Sequence, residues 1–120
     1  MAQQDAVIRL LLVEDRLDDA EQIISHLRNG GMAVRPQRPE SEDELVEILG
    51  KQSIDIVVAA FEASYLPLAT VLERVTATGK DIPVIASVTT LDEKVALAAL
   101  AAGTRDVAIR GRAEHMQAVV

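Results

Sequence analysis

The feature that most narrows the fold of this chain is the spacing of its short apolar runs. Val7–Val13 reads VIRLLLV, broken only by Arg9, and Ile56–Ala60 reads IVVAA without interruption. Runs this short, with no polar alternation, suit strands buried on both faces, as parallel strands are when helices cover them. Between the runs the apolar period changes. Ala20, Ile23, Ile24 and Leu27 fall at i, i+3, i+4 and i+7, one stripe along a helix. Strand-length runs alternating with helical stripes are the pattern of an α/β chain whose parallel sheet lies between layers of helices.

The same reading extends along the chain. Gly30-Gly31 closes the first helix, glycine being the least strained residue for a left-handed cap. Met32–Arg38 is a more polar second strand, and Pro36 within it, with Pro39 after it, predicts an edge position. Ser41-Glu42-Asp43-Glu44 is a capping box opening a helix with Leu45, Ile48 and Leu49 on its inner face. The third strand is Asp55–Ala60, followed by a helix carrying Leu68, Val71, Leu72 and Val75. Gly79 and Pro83 frame the turn into a fourth strand, Ile82–Val88. Thr90-Leu91-Asp92-Glu93 is a second capping box, opening an alanine-rich helix that stops at Gly103. Asp106–Ile109 is a short fifth strand, and a final helix starts near Arg112. That helix reaches Val120 after about two turns, and isolated helices shorter than ~12 residues are marginal. The 120 residues are therefore expected to form a single domain at the start of a longer, multidomain protein.

Composition excludes several functions. With no cysteine, the chain has no disulfide scaffold, thiolate metal site or thiol nucleophile. A net charge of −7 and only two aromatics, Phe61 and Tyr65, argue against nucleic-acid binding, which needs clustered cations and stacking surfaces. The start, MAQQDAVIRLLLVED, lacks the basic lead of a signal peptide, and no run approaches the ~18 apolar residues of a membrane span. A cytoplasmic location without membrane insertion is expected. His26 and His115 stand alone on helices and are read as solvated rather than as ligands.

In doubly wound sheets ligands sit at the carboxyl ends of the strands. Three such ends are polar here: Glu14-Asp15, Glu62 and Arg110. With LLVED and DDAE at the start, IDIVVAA for the third strand, DIPVIASVT for the fourth and AAGTRDVAIRG for the fifth, the chain resembles the response-regulator receiver domain over nearly its whole length. The resemblance implies a five-stranded parallel sheet in the order 2-1-3-4-5. It also implies a phosphoryl-accepting site, and maps it residue by residue. The magnesium-binding acidic pair corresponds to Glu14 and Asp15. The aspartate acceptor corresponds to Ala60, the Thr or Ser that ends the fourth strand to Val88, the lysine to Arg110, and the switching aromatic of the fifth strand to Val107.

These departures bear on the chemistry directly. A methyl group neither attacks phosphorus nor ligates a metal. Magnesium takes oxygen ligands in near-octahedral geometry, usually from one or two carboxylates beside the phosphates it bridges. Arg110 keeps a positive charge but presents a planar fork in place of a point charge. Asp55 opens the third strand and lies at the wrong end to substitute, and Glu62 sits on the loop beyond Ala60. Ser87 and Thr89 flank Val88, so a shift of one position restores a hydroxyl but not the acceptor. Glu14, Asp15 and Glu62 are read as a vestigial acidic pocket, with Arg110 as a fixed counter-charge for the first two. No catalytic residue, metal or cofactor is expected.

Function then falls to the surface. By the resemblance, the fourth helix, fifth strand and fifth helix form a homodimer face. Glu93, Lys94, Leu97, Ala98, Ala101, Arg105, Asp106 and Arg112 supply small residues and both signs of charge for a self-complementary contact. The order IRLLLVEDRLDDAEQ, LRNGG, GKDIPVI and ALAAGTRDV is similar to the N-terminal pseudo-receiver of FimX-like cyclic-di-GMP receptor proteins. That similarity implies downstream PAS, GGDEF and EAL domains in cis, a role in type IV pili and twitching motility, and concentration at a cell pole. Two other readings stand beside it: a switch driven by a non-phosphoryl ligand in the acidic pocket, and a small flavodoxin-like enzyme. The enzyme is disfavoured by the lack of a Gly-rich phosphate loop or nucleophile–base pair.

Overall fold

The computed structural model describes residues 7–61, 66–88 and 93–109. Its elements follow in the order β1 (Ile8–Val13), α1 (Leu17–Asn29), β2 (Val34–Gln37), α2 (Glu42–Lys51), β3 (Ile56–Ala60), α3 (Leu68–Ala77), β4 (Val84–Val88), α4 (Glu93–Ala102) and β5 (Asp106–Ile109). The strands form a five-stranded sheet in the order β2-β1-β3-β4-β5, every pair parallel. This is the architecture expected from the alternating periods. The final helix near Arg112 and the box residues Thr90–Asp92 lie outside the described residues.

Successive residues of the central strands feed opposite layers, as the two-residue period of a strand requires. Leu11, Val13, Val57, Ala59, Val84 and Ala86 pack with Leu45 and Leu49 of α2 and Val71 and Val75 of α3. On the other face Leu10, Leu12, Ile56, Val58 and Ile85 pack with Ala20, Ile23 and Leu27 of α1. The stripe of α1 is thus buried except Ile24, which is half-buried. In α3 Leu72 likewise packs only partly, while Leu68, Val71 and Val75 are buried.

Four strands are shorter than the runs read from the sequence, β1 beginning at Ile8 rather than Val7. β2 begins at Val34 rather than Met32, β3 at Ile56 rather than Asp55, and β4 at Val84 rather than Ile82. The reason in β3 is local: Asp55 Oδ2 accepts the backbone N–H of Arg9 at 2.7 Å, so the side chain rounds off the ladder. Before β4, Pro83 has no N–H to give, though its carbonyl accepts from Val57 at 3.0 Å. Pro36 sits in β2 opposite Leu10 and is tolerated because β2 is an edge.

The helix ends carry the expected chemistry with small differences. Ser41 is the N-cap of α2, its Oγ accepting the N–H of Glu44 at 3.2 Å. Glu44 reaches back to the N–H of Glu40, one residue before the cap. After α1 the left-handed position is Gly31, with φ of 88°, while Gly30 keeps a negative φ. Glu42 and Arg74 join the first turn of α2 to α3 with a 2.7 Å hydrogen bond, which raises the Arg74 pKa above its ordinary value. Among the described residues no helix is long and apolar enough to cross a membrane.

Ser41→Ala removes the cap of α2 and leaves the Glu44 N–H without its acceptor. A loss of about 1 kcal/mol in unfolding free energy is expected from urea denaturation, with an unchanged slope.

Candidate functional site

The carboxyl ends of β1, β3 and β4 lie along one edge of the sheet, and the residues that end these strands, Val13, Ala60 and Val88, are apolar. Ala60 is the last residue of β3 and Val88 the last of β4, while Val107 is the second residue of β5. All three are buried in the same apolar cluster, which also takes in Leu66 and part of Phe61. A methyl and two isopropyl groups therefore stand at the three positions that the sequence comparison singled out.

The strand register adds a residue that sequence reasoning placed only as a neighbour. Ser87, not Val88, is the register partner of Ala60, and it is flanked on the other side by Ala108. Its hydroxyl is buried and has no hydrogen-bond partner among the described residues. Thr89, the other flanking hydroxyl, lies outside the described residues.

The acidic pair is divided by its surroundings. Glu14, directly after β1, is 1% exposed, whereas Asp15 is exposed. Arg38 holds this turn in place. Its Nη2 donates to the backbone carbonyl of Glu14 at 2.7 Å and to that of Asp15 at 3.1 Å. β1 and β2 are parallel neighbours, so their carboxyl ends meet, and a long cation one residue past β2 reaches the loop after β1. Sequence reasoning missed Arg38. The available signal was a basic residue just beyond a strand adjacent to an acidic turn. Arg110 and Glu62, assigned to the same pocket, lie outside the described residues.

On the other candidate surface, Glu93, Lys94, Leu97, Ala98 and Ala101 are exposed along α4, whose one buried residue is Ala99. Leu97 is 58% exposed and Leu100 47%, so this helix presents apolar area outward. Arg105 and Asp106 are exposed at the start of β5 but have intrachain partners. The Arg105 guanidinium lies 3.6 Å from Asp81, and Asp106 Oδ1 accepts the N–H of Val107 at 2.8 Å. An exposed ion pair of this kind contributes little. Arg112 is outside the described residues. His26, expected to be solvated, is half-buried on α1. Among the described residues no group of His, Asp and Glu has the arrangement of a metal site.

No protein-family model matches the chain. None of the curated proteins does. Solved structures do. The response regulator from Chloroflexus aurantiacus J-10-fl has a TM-score of 0.75 at 23% identity, covering 92% of each chain. The chemotaxis response regulator CheY4 of Vibrio cholerae has a TM-score of 0.74 at 14% identity, covering 95% of this chain and 96% of that one. The receiver domain of the Francisella response regulator 1452 has a TM-score of 0.74 at 15% identity, over 93% and 92%. The chain therefore has the receiver fold, with its strand order. At these identities the likeness extends to the fold alone.

Arg38→Ala removes charge-assisted bonds to two carbonyls at once. A loss of about 2 kcal/mol is expected by urea denaturation, with faster amide exchange in the turn after β1. Arg38→Lys is expected to recover only part of the loss, since an ammonium lacks the fork.

Proposed function

We propose that this chain is a receiver-like module that accepts no phosphoryl group and acts through contact, serving dimerisation, localisation or partner docking within a larger signalling protein. The observation that carries the reading is Ala60: a buried methyl group ends β3, where an acceptor carboxylate would have to stand. Val88 and Val107 support it, because both share the apolar cluster of Ala60 and offer no donor to a phosphoryl oxygen. The same end of the sheet is thus an extension of the core.

The contact surface in this reading is the α4–β5 face, by resemblance to receiver domains. Its support is the outward placement of Leu97 and Leu100 on a helix whose remaining surface is mostly alanine. Small side chains let a second backbone approach, and a self-complementary patch suits a twofold contact. The pathway in this reading, cyclic-di-GMP signalling connected with type IV pili and twitching motility, rests on the sequence resemblance to FimX-like proteins alone.

Incubation with acetyl phosphate and magnesium is expected to leave the intact mass of the protein unchanged. A phosphoryl adduct would sink the reading. Sedimentation equilibrium is expected to show a dimer, converted to monomer by Leu97→Glu with little change in thermal stability, because Leu97 is already exposed. A wild-type monomer at all concentrations would remove dimerisation and leave docking to another protein.

A further inference from the structure

The opposite end of the sheet holds a feature that the receiver reading does not use. A cleft of about 240 Å3 lies among β2, the start of β1 and the turn from α2 into β3, lined by Arg9, Arg35, Gln37, Gln52, Ser53 and Ile54. Arg9 and Arg35 are register partners across β1 and β2, and Gln37 follows two residues on along the same face. Paired residues on neighbouring strands are ~5 Å apart at the backbone, so two guanidinium stems leave the sheet side by side. Like charges placed directly opposite one another destabilise a sheet.

Among the described residues no ion pair offsets that repulsion. Neither guanidinium takes part in an ion pair or hydrogen bond there. The carboxylate of Asp55, at the same end of the sheet, is bonded to the backbone N–H of Arg9. In a chain with a net charge of −7, two adjacent cations facing one cleft invert the general balance.

We propose that this cleft binds a phosphate-type dianion, either the free ion or the terminal phosphate of an ester. Two arginine forks match such a group in charge and geometry. A phosphate monoester carries about −1.5 to −2 at neutral pH with three strong acceptor oxygens, and arginine meets phosphate through paired N–H donors. The amides of Gln37 and Gln52 and the hydroxyl of Ser53 add uncharged donors around the rim. A single carboxylate would occupy one fork and leave the other charge uncompensated. The site is separate from the acidic turn: Arg9 precedes Glu14 by five residues of β1, roughly 16 Å of extended chain. A bound dianion would tie the edge strand β2 to the loop before β3.

The test is an amide NMR titration of the whole chain with inorganic phosphate and, separately, with phenyl phosphate, sodium chloride holding the ionic strength constant. Saturable shifts are expected at Arg9, Arg35, Gln52 and Ser53. Arg35→Gln and Arg9→Gln are each expected to weaken binding by roughly tenfold or more. Without phosphate both variants should be at least as stable as the wild type, since each removes the like-charge contact, so lost binding is not lost folding. Arg16→Gln, at an exposed cation beyond the carboxyl end of β1, should bind as the wild type does. Tighter binding of phenyl phosphate assigns the cleft to an ester, and equal or tighter binding of inorganic phosphate assigns it to the free ion. Shifts that do not saturate, or that persist in Arg35→Gln, would overturn the proposal and reduce the effect to general salt action.

Discussion

Everything in this structure depends on burying β3 from both sides. Its five residues are all buried, and β1 and β4 pair with its two edges. The ladder satisfies its backbone polar groups, leaving side chains that are wholly apolar to be covered above and below. Each fully buried Val, Leu or Ile contributes about 1.5–3 kcal/mol relative to exposure, so no single-sided arrangement competes. Helices α2 and α3 cover one face and α1 the other. Pro36 and Pro83 are displaced to the edge strand and to the entry of β4 for the same reason, since the centre needs every donor.

The character of the candidate site follows from that burial. In β3, and in β4 apart from Ser87, the apolar side chains continue to the last residue, so the core reaches the carboxyl edge where a doubly wound sheet would hold a ligand. Polar contacts are pushed outward to the β1–β2 side, where Arg38 fastens the turn carrying Glu14 and Asp15. The amino-end cleft has the reverse character. It sits at the edge strand, where side chains need not be apolar, and there the register sets Arg9 beside Arg35.

Much of the fold is legible in the residues because helix and strand differ in a local period. Ala20, Ile23 and Leu27 of α1 and Leu45, Ile48 and Leu49 of α2 announce their inner faces and are buried. The ends of strands are less legible. Ile82 and Met32 are apolar enough to extend β4 and β2 on paper, but a strand ends where its neighbour stops exchanging hydrogen bonds, which no local pattern states. In α4 the alanine run hides its orientation: almost any face serves as core, and Ala99 proves to be the one buried. Ala60 and Val88 were legible as the ends of apolar runs, whereas the contact of Arg38 with the turn after β1 spans 24 residues.

By itself the sequence determined which segments are strands and which helices, that the sheet is parallel and covered on both faces, and that an alanine ends its third strand. Those properties follow from side-chain period and residue type, both readable within a few consecutive positions. Only the tertiary structure decided that Ser87 stands beside Ala60, that Glu14 is buried while Asp15 is not, that Arg38 braces their turn, and that Arg9 and Arg35 share a cleft. Each of these depends on strand register and on which loops meet at a sheet edge. Packing between segments distant in the chain sets both.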